Sequence, residues 1–480
     1  MGAGAGTVLQ GLVLCEVFAV AASGAEKSER PINEKGEAVN QGGKRAPPLL
    51  YKTVHVPAEF LAQGKDGSFG GDLRVGDLTG NGQVDFLVYR AVDNFCDGGG
   101  MKPCFMGAFT LDGKALWKAG EGGLQPGRPG PVAVHDIDGD GKAEVICFFR
   151  DPAVKCHPTS MKNVVVQIRN GATGAVKTEA APQELRRCRG RGDNWAHQRI
   201  LVANLRGNAG PRDFVIKLGE NLLAFDNELN VLWTYKCKWK SYSRCPAYIP
   251  SVGDIDGDGR DEINGGYFLI DHDGTVLWEK KLGRHMDSVA IAEWDDGRVR
   301  AFCSGFGHVM DEKGNAVLKL GEEIVPHGQE LRVGRFDDSV PGPQMMIRYN
   351  GHTPEIMLVS VAGKIIRRFK LNDSPNNTGM EAVYWNGPDK PALLYNGGRL
   401  WRGNGKAFAV LPDLGNPMGN PRQGWYHCIP ADVCGDAREE VVVYNPWDSV
   451  VRIYTPAPVE PEKFAGYRPG PRQYNVRLMD

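Results

Sequence analysis

The sequence predicts an all-β protein built as one eight-bladed β-propeller. A short apolar strand followed by an acidic, glycine-rich loop recurs along the chain, mostly at intervals of roughly 40 to 50 residues. In most repeats an Asp-Gly or Asn-containing hairpin and another apolar strand follow the loop. The 480 residues include 63 glycines and 31 prolines, and long helical patterns are scarce, as is typical of a turn-rich β-protein.

The acidic loop is best preserved in two copies, which begin at Asp136 and Asp254. Both read Asp-Ile-Asp-Gly-Asp-Gly and are closed by a glutamate, Glu144 or Glu262. Six further copies, some eroded, complete a set of eight. The eight anchors are Asp77, Asp136, Asn204, Asp254, Glu293, residues 334–338, residues 385–389 and Asp432.

Each repeat accommodates four short strands, which is the content of one propeller blade. Two separate β-sandwiches are an alternative, but they would not keep the same order of loop and hairpin in every repeat. The predicted ring spans residues 49–457, with one strand at 49–56 ahead of the first blade. We expect the tail, residues 458–480, to return near that strand and close the ring.

The amino-terminal region predicts secretion. Residues 1–25 contain an apolar stretch that ends in small residues, as in a signal peptide, although it includes Glu16 and no Lys or Arg precedes it. Residues 26–48 are polar and read as a disordered linker. No other stretch is long and apolar enough to predict a membrane span.

Charge and cysteine content narrow the classes of partner and compartment. Lys plus Arg total 57 and Asp plus Glu 58, so no basic excess suggests a nucleic-acid partner. Ten of the eleven cysteines remain if Cys15 is removed with the signal, and an even number suits an oxidising compartment. Cys96 with Cys104 and Cys237 with Cys245 bracket two loops, whereas a strand separates Cys428 from Cys434. Buried free thiols are the alternative, and the lack of a Cys-x-x-Cys pair argues against structural zinc.

The acidic loops predict calcium binding. Carboxylates at alternate positions of a tight loop point towards one centre, which is the oxygen coordination that calcium prefers. A plain acidic turn is the alternative, and the repetition argues against it. We expect these sites to brace the blades. The predicted ligands are Asp136, Asp138, Asp140 and Glu144; Asp254, Asp256, Asp258 and Glu262; Asp77, Asn81 and Asp85; and Asp432, Asp436 and Glu440.

A second set of residues is predicted at one mouth of the central channel. Positions about eight residues before each acidic anchor precede the inner strands, and these strands begin at one face of a propeller. Histidine, arginine and aromatic residues recur there, and such side chains can bind an acidic sugar chain. Each histidine alone is also compatible with a structural role. The candidates are Arg128, His197, Tyr248, His285, His327 and Tyr426.

Four passages resemble a known family, at residues 108–117 with 132–147, 249–259, 282–288 and 431–441. The repeat looks like the calcium-loop (FG-GAP/VCBS-type) propeller repeat, and the chain as a whole resembles rhamnogalacturonan lyases of polysaccharide lyase family 11. Two departures stand out. Met286 replaces a glycine of the family segment, and residues 244–248 stand where the family has a histidine-bearing segment.

The resemblance implies a secreted, calcium-stabilised lyase that cleaves an acidic, pectin-like polysaccharide, rhamnogalacturonan first, by β-elimination. His285 matches the family segment and is the predicted base, with His327, Tyr248 or Tyr426 as alternatives. Arg128 or a calcium ion would neutralise the uronate carboxylate. The alternative is a non-catalytic propeller that binds glycan or protein. We expect a monomer.

Overall fold

A computed structural model describes residues 48–61, 73–91, 103–121, 132–150, 164–188, 199–239, 246–371, 379–414, 427–444, 449–460 and 465–475. Within these ranges, 32 strands form eight antiparallel sheets of four strands each. The predicted all-β, eight-bladed propeller is therefore confirmed. Helical structure in the described residues is limited to α1 (Gln183–Arg187), α2 (Pro471–Tyr474) and the 3-10 turns Ala58–Phe60 and Asp295–Gly297.

The four strands of each blade run from the channel to the rim. The inner strands are β2 (Leu73–Gly76), β6 (Val132–His135), β10 (Arg199–Ala203), β14 (Ser251–Gly253), β18 (Val289–Glu293), β22 (Leu331–Gly334), β26 (Glu381–Val383) and β30 (His427–Ala431). The second strands are β3 (Asp85–Ala91), β7 (Glu144–Arg150), β11 (Asp213–Leu218), β15 (Glu262–Asn264), β19 (Val299–Cys303), β23 (Gln344–Arg348), β27 (Leu393–Asn396) and β31 (Glu440–Tyr444). The third strands are β4 (Pro103–Thr110), β8 (Val164–Arg169), β12 (Asn221–Asp226), β16 (Phe268–Ile270), β20 (His308–Met310), β24 (Glu355–Ser360), β28 (Arg399–Trp401) and β32 (Val450–Thr455). The outer strands are β5 (Ala115–Gly120), β9 (Val176–Ala180), β13 (Val231–Lys236), β17 (Val276–Glu279), β21 (Ala316–Lys319), β25 (Ile365–Lys370), β29 (Ala407–Val410) and β1 (Leu49–His55).

The ring is closed by the first strand of the chain. β1 pairs antiparallel with β32 and so supplies the outer strand of the eighth blade. The described part of the tail adds no strand, which corrects the expectation that the tail would pair near β1. The tail instead passes the loop of blade one, where Tyr467 N–H donates to Gly82 O (2.7 Å), and enters the channel. There Gln473 Nε2 donates to Pro430 O (2.7 Å) of blade eight, and Asn475 exchanges hydrogen bonds with Val202 of blade three.

The blades are joined by buried apolar side chains and by the recurring hairpin glycines. Phe148, Phe214 and Phe225 belong to one buried cluster shared by blades two and three. Gly274, with φ of +90°, lies against Trp233 of the preceding blade, and an added Cβ would come within 2.8 Å of the Trp233 ring. Trp233 Nε1 in turn donates to His272 O (2.7 Å). The Asp-Gly hairpin of this repeat therefore contacts an outer-strand tryptophan of the preceding blade.

Six cysteines are buried, namely Cys147, Cys188, Cys237, Cys303, Cys428 and Cys434. Cys434 is a free thiol, so it is not bonded to Cys428, as the separation by a strand predicted. Burial raises the pKa of the Cys147 thiol to about 12, so it stays protonated. The two predicted cysteine pairs each include a partner outside the described residues, as do the predicted signal and linker. Among the described helices, none has the length and apolar character needed to cross a membrane.

Candidate functional site

Every inner strand separates two kinds of connection. The segment from the preceding outer strand enters at one end, and the acidic loop leaves at the other. Tyr248, His285 and His327 lie in the connections that enter β14, β18 and β22. The sequence register therefore placed them correctly at one face of the ring, and the structure brings all three together. Arg128, His197 and Tyr426 lie outside the described residues, so their place at this face stays a prediction.

The segment around His285 is held by backbone hydrogen bonds to the neighbouring connection. Met286 N–H donates to Pro246 O (2.6 Å), and Tyr248 N–H donates to Met286 O (3.0 Å). In an extended segment, residues two apart point to the same side. His285 and Asp287 therefore face one side together, while Met286 points to the other.

Met286, which departs from the family pattern, fits into the core. Its side chain is fully buried and lies against Gly266 and Gly305. An added Cβ on Gly266 would come within 2.6 Å of Met286 Cγ, and one on Gly305 within 2.9 Å of Met286 Sδ. Two glycines thus provide the space for the larger residue.

Asp287 joins the two histidines into one group, here called the histidine cluster (Tyr248, Arg284, His285, Asp287 and His327). His327 Nε2 lies 2.8 Å from Asp287 Oδ2, and His285 Nε2 lies 3.5 Å from Asp287 Oδ1. The Asp287 side chain is 3% exposed, whereas those of His285 and His327 are 18% and 20% exposed. The Tyr248 ring stacks on the His285 ring at a centroid distance of 5.5 Å. The imidazoles are therefore accessible to a ligand, and the carboxylate behind them is not.

Arg284 decides the proton position on His327. Arg284 Nη2 lies 3.3 Å from His327 Nδ1. A guanidinium only donates hydrogen bonds, so Nδ1 must accept and the proton of a neutral His327 resides on Nε2. That Nε2–H then donates to Asp287 Oδ2. Both ring nitrogens of His327 are therefore engaged inside the cluster.

The charge of Asp287 is maintained by the two imidazoles. Burial alone would raise the pKa of the Asp287 carboxyl, but the hydrogen bonds and the electrostatic interaction with His285 and His327 outweigh it, and the pKa lies below its usual range. Asp287 is therefore ionised near neutral pH. An ionised carboxylate in this position stabilises an imidazolium when His285 takes up a proton.

The cluster has two possible chemical uses. An imidazole backed by a buried carboxylate can act as a general base. The ligand atoms of His285, Asp287 and His327 also lie within 4.8 Å of one another, as in a divalent-metal site. Two imidazoles and one carboxylate suit a transition metal better than calcium. A metal on His327 Nε2 would require a proton on Nδ1, facing the Arg284 donor, so the arrangement fits the proton-acceptor use better.

Sequence reasoning missed Asp287 and Arg284. Both flank His285 in the passage 282–288 that carried the family resemblance. The signal was the spacing of His285 and Asp287, since positions two apart in an extended segment share a side. The contact between Arg284 and His327 spans two connections and had no signal in the local sequence.

The acidic loops lie at the opposite end of the inner strands, and their first aspartate shapes the turn. In the Asp254 loop (residues 254–262), Asp254 accepts hydrogen bonds from Gly257 N (2.7 Å) and Gly259 N (3.0 Å). In the Asp136 loop (residues 136–144), Asp136 accepts hydrogen bonds from Gly139, Asp140 and Gly141. Ligand atoms of Asp254, Asp256 and Glu262, and likewise of Asp136, Asp138 and Glu144, lie within 4.8 Å of one another. Asp258 and Asp140 accept a backbone N–H two residues later, from Arg260 and Lys142.

The closing acid of each loop uses one oxygen to bind the loop backbone. Ile255 N–H donates to Glu262 Oε2 (2.8 Å), and Ile137 N–H donates to Glu144 Oε2 (3.2 Å). The second oxygen distinguishes the loops. Glu262 Oε1 is buried without a hydrogen-bond partner among the described residues, whereas Glu144 Oε1 accepts from Lys177 Nζ (3.0 Å). Burial, with the nearby Asp256 carboxylate contributing, raises the pKa of Glu262 to about 8, and burial raises that of Glu144 to about 7 against the opposing effect of Lys177.

The other two predicted calcium loops also differ in whether the second oxygen of the closing acid has a hydrogen-bond partner. Asp77 accepts from Gly80 N, Asn81 accepts from Gln83 N, and Asp85 Oδ1 is buried without a partner in the described part of the chain. In the last blade, Asp432 accepts from Asp436 N, and Glu440 Oε1 accepts from Thr455 Oγ1 (3.0 Å). Two of the four loops therefore have a buried oxygen that no group within the described ranges satisfies.

Comparison with known proteins identifies the family. The profile described as "Rhamnogalacturonan lyase family 11, C-terminal domain" matches residues 52–180 and 221–467, which include the described residues of the histidine cluster. The chain belongs to rhamnogalacturonan lyase family 11. That membership confirms the resemblance of the chain to the rhamnogalacturonan lyases, whereas the resemblance of the repeat to the calcium-loop (FG-GAP/VCBS-type) unit stays a prediction.

Two members of the family from Bacillus subtilis (strain 168) are similar in sequence. The rhamnogalacturonan exolyase YesX is 25% identical over 80% of this chain and 70% of its own length. The rhamnogalacturonan endolyase YesW is 26% identical over 80% of this chain and 67% of its own length. Relatives with exo and endo action match to the same degree, so identity alone does not distinguish the two modes.

Solved structures agree with the fold. The Bacillus licheniformis rhamnogalacturonan lyase PL11 superposes with a TM-score of 0.65 at 23% identity, covering 89% of this chain and 80% of that one. The Vibrio cholerae biofilm matrix protein Bap1 superposes with a TM-score of 0.56 at 13% identity, covering 89% and 93%. At these identities the likeness concerns the fold alone.

Proposed function

We propose that this protein is a polysaccharide lyase that cleaves an acidic pectin-type chain, rhamnogalacturonan first, by β-elimination at a uronate. The observation that carries the proposal is the histidine cluster, in which buried Asp287 supports two accessible imidazoles. Membership of rhamnogalacturonan lyase family 11 supports the substrate class, because the matched relatives are named for that polysaccharide.

In the proposed reaction His285 is the base. It accepts the proton on the carbon beside the uronate carboxylate, the C–O bond to the O4-linked sugar breaks, and a carbon–carbon double bond forms. The released sugar oxygen takes the electron pair of the broken bond and a proton from water. Asp287 stabilises the imidazolium that results. His327 is less suited to this step, because Arg284 and Asp287 engage its two nitrogens. Tyr248 stacks on His285 and holds the ring in place.

Positive charge near the substrate carboxylate is needed to make the transferred proton acidic. Among the described residues of the cluster, Arg284 supplies that charge, and its contact with His327 Nδ1 places it beside the imidazoles. Arg128 was predicted for this task and remains a candidate outside the described residues. The acidic loops lie at the other end of the inner strands, so an ion bound there would not reach the same carboxylate.

We also propose that calcium binds the acidic loops as a structural ion, with the Asp254 loop fitting best. Asp254, Asp256 and Glu262 would hold it, and the buried, unpartnered Glu262 Oε1 would gain a partner. The Asp77 loop offers the same buried oxygen in Asp85 but fewer carboxylates, so we expect weaker binding there. Bound calcium would fix the turn between the inner and second strands.

Export of the protein is proposed on the apolar stretch within residues 1–25. The test is a fusion of these residues to a reporter enzyme. Release of the reporter from the cytoplasm supports export, and its retention there contradicts it.

The lyase proposal is tested by ultraviolet absorbance of the unsaturated product on a panel of uronate polymers. We expect product from rhamnogalacturonan, and we expect His285→Gln to lower kcat by about 10²–10⁴-fold, the usual contribution of a general base. His55→Gln is the matched control, because His55 is exposed on β1 at the rim. Retained glycan binding without product on any polymer would favour a non-catalytic, glycan-binding propeller.

A further inference from the structure

The outer strand of every blade contains a β-bulge at the same place. In each sheet one residue of the outer strand is skipped in the pairing with the third strand, near the hairpin that joins the two strands in seven blades and at the corresponding end of β32 in blade eight. Seven of these residues are apolar or aromatic, and Lys177 alone carries a charge. The skipped residues are Leu116, Lys177, Leu232, Leu277, Val317, Ile366, Phe408 and Tyr51.

Lys177 and Leu277 occupy equivalent positions beside the two best-preserved acidic loops. Each follows a valine, Val176 or Val276, that pairs with the last residue of the third strand. These valines are similarly exposed, at 44% and 40%. The two blades therefore present different side chains at the same site.

Lys177 Nζ binds the carboxylates of the Asp136 loop. It forms ion pairs with Asp138 and with Glu144 Oε1, the latter at 3.0 Å. The Glu144 side chain is 1% exposed, so its charge needs a partner inside the protein. Leu277 cannot provide one, and the equivalent Glu262 Oε1 is buried without a hydrogen-bond partner among the described residues.

We propose that Lys177 is the built-in cation of the Asp136 loop, and that the residue at this bulge decides whether a well-preserved loop takes up a divalent cation. The Asp136 loop then folds without metal, although its sequence reads as a calcium site. The comparison with the Asp254 loop rests on the calcium binding proposed for that loop. The contacts of Lys177 with Asp138 and Glu144 do not depend on that proposal.

Two eroded loops follow the same rule with other groups. In blade three, Arg206 Nε donates to Asp213 Oδ1 (2.7 Å), so an arginine satisfies the second oxygen of the closing acid. In blade six the closing residue is Gln344, whose Oε1 accepts from Phe336 N (2.7 Å) and whose Nε2 donates to Val340 O (3.2 Å). An amide there removes the charge altogether. Where the chain supplies a cation or removes the charge, no metal is needed.

Reciprocal exchange of the two bulge residues tests the proposal. The full chain is freed of metal by chelation, and bound calcium is counted by equilibrium dialysis against calcium alone. We expect Lys177→Met to bind one more calcium ion per chain than the parent, and Leu277→Lys to bind one fewer. Adding Asp138→Asn to Lys177→Met should remove the gained ion, which assigns it to the Asp136 loop.

Lys236→Met is the matched control, because Lys236 lies on the outer strand of blade three and pairs with Glu220, away from both loops. Its calcium count should equal that of the parent. A Lys177→Met variant that gains no calcium while the parent binds it at the Asp254 loop overturns the inference alone. A parent whose calcium count is zero overturns the calcium proposal instead, and the count of Lys177→Met still decides the role of Lys177.

Discussion

The Asp136 and Asp254 loops have the same six-residue core sequence and share the glycine N–H bonds to their first aspartate, yet they differ in how their buried charge is satisfied. Glu144 accepts a hydrogen bond from Lys177, whereas Glu262 has a buried oxygen without a partner among the described residues. The deciding side chain lies on the outer strand, well outside the loop. A metal-binding motif therefore defines a set of oxygen atoms, and the surrounding blade determines whether an ion is required.

The largest effect is expected from removing the closing glutamates. Glu262→Ala and Glu144→Ala each delete a buried carboxylate and leave Ile255 or Ile137 N–H without its acceptor, so each should cost about 3 kcal/mol of unfolding free energy in calcium. Urea unfolding followed by tryptophan fluorescence measures this. When a chelator removes calcium, the unfolding free energy should fall further for Glu144→Ala than for Glu262→Ala. Only Glu262→Ala has already lost the best-fitting calcium loop. If chelation lowered the unfolding free energy of Glu262→Ala as much as that of the parent, the proposed difference between the two loops would be wrong.

Removal of calcium from the unmodified protein is the next largest effect. An ion present at about 100 times its Kd stabilises the folded state by about 2.7 kcal/mol, so chelation should lower the Tm measurably. The equivalent substitutions Asp256→Asn and Asp138→Asn sharpen the result. The first should weaken calcium binding and so reduce the decrease in Tm that chelation causes in a calorimetric melt. The second should leave that decrease unchanged. Equal responses of the two variants would mean that the loops are not distinguished by Lys177.

A smaller effect is expected in the last blade. Thr455 Oγ1 donates to Glu440 Oε1 at 3.0 Å and so satisfies the second oxygen with a hydroxyl. Thr455→Val keeps the shape and removes the donor, which should cost about 1 kcal/mol. The change in urea midpoint measures this cost. A midpoint equal to that of the parent would show that the hydroxyl is not a necessary partner of Glu440.

Much of the fold followed from the sequence because the repeat is periodic. Anchors such as Asp136 and Asp254 gave the blades and their order, and counting back from the anchors located His285 and His327 at one face. Ring closure by β1 did not follow, since its partner β32 lies at the other end of the chain and no local pattern joins the two.

The details of both sites depended on contacts between elements. Lys177 reads as an ordinary surface lysine in an outer strand, and only the pairing register shows that it occupies the bulge beside Glu144. Arg284 reaches His327 from another connection, and this contact determines the proton position on His327. Such facts are set by tertiary packing, which hydrophobic periodicity does not encode.

The most direct test of the proposed function is mass spectrometry of the products formed from rhamnogalacturonan. Elimination leaves a double bond in the uronate at the new chain end, whereas hydrolysis adds a water molecule at the cleaved bond. We predict unsaturated products from the parent protein, and their strong reduction in His285→Gln with His55→Gln unaffected. Hydrated products, or equal yields of unsaturated product from His285→Gln and the parent, would contradict the assignment of His285 as the base of a lyase.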